Sequence, residues 1–262
     1  NPNMTEPPSP RSIEGKCGAV LSAEQTIREM GGTEADVEEF ERRFKEKGFS
    51  CSVLPARNDV SACLDADLVV IAVKDEAVEA VSKKLKGMKG ILVHTSGFLS
   101  TDFLAEVSDS YGSLYPLQSL KKGKETDFDK VTLCTYGNND EVRKLLQSIA
   151  KELTSKTYEL SDIQRKSLHI AAVFCNNFPN HLFGIAKAIL DKEDISFEIL
   201  FPLIDMTVEK AKHFNPFDVQ TGPAIRNEKR IMQQHKAMLG KDESEIYELL
   251  SEKIISYHSK SK

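Results

Sequence analysis

The clearest pattern along the chain is an alternation of short, wholly apolar runs with longer stretches of helical spacing. DLVVIAV (residues 67–73) is brief, β-branched and free of polar alternation, which predicts a strand buried on both faces. DEAVEAVSKKLKG follows with helical periodicity and stops at Gly87. GILVHTSG (residues 90–97) predicts a second buried strand, and STDFLAEVSD a helix after it, capped by Ser100 or Thr101. YGSLYPL, VTLCTYG and KTYEL are further strand candidates, with the helix DEVRKLLQSIAKEL between the last two. Alternation of this kind predicts an α/β fold whose mostly parallel sheet carries helices on both faces.

Near Ser161 the pattern changes. From there only helical signals remain, over residues 163–190, 196–213, 221–239 and 243–257, which predicts an all-α C-terminal domain. The expected organisation is a disordered polar lead (1–15), a dinucleotide-binding α/β domain (16–160) and a helical domain (161–262). At the front, EEFERRFKEKG reads as a helix ending at Gly48, with a strand over residues 49–54. Before it, TIREMGGTEADVEEF fits a strand, a glycine turn at Gly31 and Gly32, and a helix start, the opening of a dinucleotide-binding unit. Glu34 and Val37 stand where later glycines of such a turn belong, so an ordinary capped helix explains the stretch as well. Residues 57–65 leave too little chain for the usual next helix and strand. This N-terminal part of the sheet therefore reads as degenerate.

Composition narrows the function classes. Hydrophobic residues are 40% and charged residues 29% of 262, an ordinary globular balance. A net charge of -5 without a basic stripe argues against nucleic-acid binding, and no apolar run is long enough to span a membrane. NPNMTEPPSPRS lacks the pattern of a signal peptide. The five cysteines are scattered with no CxxC pair, which argues against a metal site or disulfide framework and makes a reducing cytoplasm the default compartment.

The candidate chemistry sits on SLHIAAVFCNNFPNHLFGIA. At about 100° per residue, Lys166, His169, Asn176, Asn177 and Asn180 share one stripe roughly 100° wide. Pro179 should kink the helix and free the carbonyl of Cys175. A ligand-facing wall and a hydrogen-bond network among helices both account for the stripe. His181 falls outside it and reads as structural. VHTSG ends a strand with Thr95 and Ser96, whose hydroxyls would be exposed where ligands bind in open α/β sheets. QTGPAIRNE reads as a helix opening, with Thr221 as cap, Pro223 in the first turn and Arg226 as an anion holder or a solvated charge.

DADLVVIAVKDEAV, HTSG, YPLQSL, QRKSLHIAAVFCNNFPNHLFGIAKAIL, PLIDMTVEKA and QTGPAIRNE resemble the Rossmann-like proteins with a helical DUF2520 domain, often labelled NADP oxidoreductases. These are related to the pyrroline-5-carboxylate reductase, 6-phosphogluconate dehydrogenase and ketopantoate reductase types. The resemblance covers about two-thirds of the chain. It implies an NADP-binding domain, a 6-phosphogluconate-dehydrogenase-like helical domain and a homodimer. It places Val73 and Lys74 by the cofactor, with Thr95 and Ser96 near the nicotinamide. Arg57, after a strand resembling the family's second, becomes the reader of a 2′-phosphate; Gly31 and Gly32 occupy the glycine turn without its motif. Facing the substrate would be His169, Asn176, Asn177 and Asn180, with Gln118, Thr221 and Arg226 as further contacts.

One expectation is therefore an NADP-dependent reductase of a small carbonyl or imine, such as a 2-keto acid of the ketopantoate kind. His169 or Lys166 would be the proton donor, and Asn176 and Ser96 further members of the catalytic group. The other is a non-catalytic relative whose dinucleotide site has decayed.

Overall fold

A computed structural model describes residues 17–22, 42, 50–55, 60–118 and 127–260. Among them, strands β1 (Cys17–Ser22), β2 (Ser50–Pro55), β3 (Leu68–Ala72), β4 (Ile91–His94), β5 (Tyr111–Leu117), β6 (Thr132–Gly137) and β7 (Thr157–Glu159) form one sheet. Their spatial order is β2-β1-β3-β4-β5-β6-β7. All neighbours run parallel except β5 and β6. The fold is thus Rossmann-like α/β with a helical C-terminal part.

Burial on both faces explains the apolar runs. In β3, Val69 and Ile71 enter one core with Val78, Val81 and Leu85, from helix α1 (Asp75–Lys83) and the turn after it. Leu68 and Val70 enter the opposite core. There they meet Val142, Leu146, Ile149, Ala150 and Leu153 of helix α2 (Asp140–Leu153), residues that share one helical face. The Asn139 side chain caps α2 by accepting from the Val142 N–H at 3.0 Å.

Several expectations change. β1 lies upstream of the strand expected in TIREM, and the glycine turn at Gly31 and Gly32, like Arg57, lies outside the described residues. Between β2 and β3 the described connection holds a single 3-10 turn, Ser61–Cys63, as the short spacing required. STDFLAEVSD forms another 3-10 turn, Asp102–Glu106, rather than a capped α-helix. Thr101 occupies its N-cap position without a capping bond, because its hydroxyl and amide donate to Asp162 instead.

By compactness the chain divides after Asn177. The change in secondary-structure type does fall near Leu160. However, helix α3 (Asp162–Ala172), opened by a capping box between Ser161 and Gln164, is bonded to the sheet unit. It runs into a π-helical turn, Val173–Asn177. This turn stands where a kink at Pro179 was expected. Pro179 lacks the N–H that would bond the carbonyl of Cys175, and the wider turn just before it absorbs the break.

The second unit is helical: α4 (Phe178–Asp191), a 3-10 turn (Phe197–Leu200), α5 (Phe201–His213), α6 (Lys229–Ala237) and α7 (Lys241–Lys260). The helix expected from residue 221 begins only at Lys229. Gly222 and Asn227, at φ of 108° and 53°, hold QTGPAIRNE in turns, so neither Thr221 nor Pro223 opens a helix. No described helix is long and apolar enough to cross a membrane.

Candidate active site

β4 and β5 carry the site because of their side-chain alternation. Val93 and Leu114 point into the α2 core. His94, Ser113 and Tyr115 therefore share the other face, since successive side chains alternate and His94 pairs in register with Ser113. The sequence leaves that face polar near the carboxyl edge of β4, where α3 packs.

Arg165 on α3 ties the loop after β4 to the helix. It is 1% exposed. Its guanidinium donates to the carbonyl oxygens of Ser96 and Leu99, and to Asp162 Oδ1 at 2.8 Å. Asp162 Oδ2 in turn accepts from the Thr101 amide at 2.6 Å, the Thr101 hydroxyl at 3.1 Å and the Ser100 hydroxyl at 3.1 Å. Burial alone would raise the Asp162 pKa, but the bonds from Arg165 and the Thr101 amide outweigh it and hold the carboxyl below its ordinary value.

Inside this loop the polar groups serve one another. The Ser96 hydroxyl accepts from the amides of Phe98 and Leu99 at 3.1 and 3.0 Å, and Ser96 is buried. The expected exposure of that hydroxyl to a ligand is thus not met: a tight turn needed it as an acceptor. Thr95 is half-buried, its hydroxyl 3.4 Å from the Ile71 carbonyl. His94 is fully buried and stacks on Phe103. Its Nδ1 accepts from the Ser96 amide at 3.2 Å, which puts the proton of the neutral ring on Nε2. Burial first, and the charge of Arg165 second, lower its pKa to about 4.

His169 sits one turn beyond Arg165, half-buried, against β5. Its Nδ1 lies 3.2 Å from the Tyr115 hydroxyl, with the rings edge to face. Phe98 contacts the same imidazole with centroids 6.2 Å apart. Gly97 passes directly beneath the pair. A Cβ there would stand 2.5 Å from His169 Nδ1 and 2.8 Å from Tyr115 Cζ, so only glycine leaves room. Burial, then the neighbouring Cys134, raise the Tyr115 pKa and keep the phenol protonated.

The fold thus gathers Thr95, Ser96 and His169, with Lys166 half-buried on the same helix. Asn176 and Asn177 are exposed on the π-helical turn, and a count of about 100° per residue does not carry through such a turn. Gln118 is exposed just past β5. In the second unit, Asn180 and His181 are exposed on α4 and Thr221 in its loop. Arg226 is forked onto Glu228 at 2.8 and 3.0 Å, so its charge already has a carboxylate. Val73 and Lys74 leave β3 where strand order reverses about β1, the position at which dinucleotides lie in open α/β sheets. In sequence, AEQTIREM follows β1 without a glycine, so the phosphate fingerprint is missing where this fold expects it.

Three residues that build this site were not singled out from the sequence: Tyr115, Asp162 and Arg165. The signal for Arg165 was available, since four residues before His169 puts it about 40° away on the same helical face. Asp162 is then the natural ion-pair partner one turn back. Nothing in YGSLYPL marks Tyr115 beyond its alternation with Leu114.

Fold and site define a two-part chain, a Rossmann-like sheet with a polar edge joined to a helical domain. Residues 131–254 match the family described as a domain of unknown function, DUF2520. Over its length it is similar to BF3122 from Bacteroides fragilis, provisionally designated an NADP oxidoreductase. The identity is 28% and the TM-score 0.76, over 94% of this chain and 100% of that one. Protein TM1727 from Thermotoga maritima shares the fold, at 17% identity and a TM-score of 0.63 over 94% and 99% of the two chains. So does a reductive aminase from Aspergillus terreus, solved with NADPH4, cyclohexanone and allyl amine. Its identity is 12% and its TM-score 0.63, over 92% and 94%. No curated protein matches the sequence.

Proposed function

We propose that this chain is an NADP-dependent oxidoreductase that reduces a small carbonyl or imine, with His169 as its proton donor. The observation that carries the proposal is the half-buried His169 held against Tyr115 and Gly97, beside the loop that leaves β4. The likeness to the Bacteroides protein supports the cofactor class. When bound, the nicotinamide would supply hydride to the carbonyl or imine carbon. His169 delivers a proton from Nε2 to the developing alkoxide or amine, since Nδ1 is engaged by Tyr115, and regains it from solvent. Val73, Lys74 and Thr95 would flank the cofactor, and Asn176, Asn177 and Asn180 would orient the substrate.

The lack of glycine in the eight residues after β1 favours a second reading, a binding protein whose dinucleotide site has decayed. Titration with NADPH and NADH, followed by the cofactor's fluorescence, separates the two. Saturable NADPH binding with weaker NADH binding, and turnover lowered about 10²–10⁴-fold by His169→Gln, are expected for the reductase. No binding of either cofactor would overturn it.

The working form would be a homodimer through the second unit. Ile199, Leu203, Met206, Phe214 and Phe217 are each at least half exposed, and Ala224 is the one buried apolar residue described there. A helical unit with so little buried apolar surface needs a second copy to be stable. Light scattering at micromolar concentration should give twice the chain mass; a monomer would refute this.

A further inference from the structure

We infer that Tyr115 is a positioning residue that sets the tautomer of His169, an inference that builds on the reading of His169 as proton donor. Tyr115 is nearly buried, and its hydroxyl lies 3.2 Å from His169 Nδ1. A phenol in that setting stays protonated, and burial raises its pKa further. Against a neutral imidazole the hydroxyl donates to Nδ1, so the ring proton resides on Nε2.

The same contact serves the other protonation state. An imidazolium has two N–H donors and no acceptor. The Tyr115 hydroxyl then turns and accepts from Nδ1–H with its oxygen where it was. One residue thus holds the ring both as the resting neutral imidazole and as the cation, and in both it leaves Nε2–H facing the substrate; when the cation gives up its Nε2 proton, Nδ1–H stays on the Tyr115 oxygen until solvent returns a proton to Nε2. A fixed carboxylate would favour the cation, and a fixed N–H donor would favour the neutral ring. A hydroxyl accommodates each by rotating.

The geometry around the pair leaves little room for other arrangements. Gly97 closes one side, since even a methyl there would stand 2.5 Å from Nδ1. The edge-on Tyr115 ring and the tilted Phe98 ring flank the imidazole at centroid separations of 6.0 and 6.2 Å. Tyr115 itself cannot drift, because it lies within β5 and is paired in register with Cys134 of β6.

The test is nitrogen-15 NMR of the full chain labelled at histidine, comparing wild type with Tyr115→Phe. The protein has six histidines, few enough for His169 to be assigned from the spectrum of His169→Gln. Tyr115→Phe removes one oxygen and keeps the ring, so the fold should survive, and circular dichroism checks that it does. One neutral hydrogen bond amounts to a bias of about fivefold. The excess of the Nε2–H form over the Nδ1–H form should therefore be about fivefold greater in wild type than in Tyr115→Phe. Equal tautomer ratios in the two proteins, or a proton on Nδ1 of the neutral wild-type ring, would overturn the inference. This readout needs neither cofactor nor turnover. If the protein proves inactive the reductase proposal fails, while the spectrum still decides the role of Tyr115.

Discussion

Removing the Arg165 guanidinium should loosen the loop between β4 and the Asp102–Glu106 turn more than any other single change at this site. Arg165→Met keeps most of the aliphatic stem and deletes the charge. Three bonds go with it: those to the carbonyls of Ser96 and Leu99, and the ion pair with Asp162. Breaking a buried pair by deleting one partner costs about 3–5 kcal/mol. Asp162 keeps its donors on Ser100 and Thr101 and is only partly buried, which favours the low end, about 3 kcal/mol. The chain has no tryptophan, so urea unfolding is best followed by circular dichroism. Because it divides into two units, its unfolding need not be a single transition, and a local probe is also required. The Thr101 amide, bonded to Asp162 at 2.6 Å, is that probe. Its hydrogen exchange should quicken about a hundredfold for a 3 kcal/mol loss. Stability within about 1 kcal/mol of wild type, with Thr101 protection intact, would refute the view that this pair fastens the loop.

The pair should also respond to acid in a definite sense. Asp162 has a lowered pKa in the folded chain, so its contribution is complete above the ordinary aspartate value of 3.8 and fades as pH falls through the lower folded value; Asp162→Asn should flatten that limb. His94 acts at higher pH. Its ring is held neutral down to about 4 against 6.5 ordinarily, so the unfolded chain takes up the proton first and stability falls on going from pH 6.5 to 4. The loss is on the order of 3 kcal/mol, and His94→Phe should abolish most of this slope in thermal melts, whereas an unchanged slope would mean that another group titrates there. Gly97→Ala should destabilise by about 1–3 kcal/mol, because the new methyl must displace His169 or Tyr115. The backbone at Gly97 is not left-handed, so the requirement is for space alone, and a variant as stable as wild type would show that the loop does not pass beneath the pair.

The sequence alone was enough for the middle of the sheet and for the change to helices near Ser161. Those elements declare themselves through periodicity, a local property: β3 and β4 need apolar runs because both faces are covered, and α2 needs its apolar stripe because one face is. His169 stood out for a related reason, as one of several polar residues in register along a helical stretch. The start of the sheet was not, because β1 is one short strand whose identity comes from pairing with β2 and β3, and its sequence carries no glycine turn to mark where it ends. Nor was the helix start at Lys229, because turns at Gly222 and Asn227 overrode a plausible cap.

What only tertiary structure decided is which polar groups meet. Arg165 lies 69 residues from Ser96, and Tyr115 54 residues from His169. No window of sequence joins such residues. The sheet register does, by placing His94, Ser113 and Tyr115 on one face and laying α3 across it. A buried polar group must find a partner wherever the fold brings one within reach, and that distance is set by packing rather than by spacing along the chain.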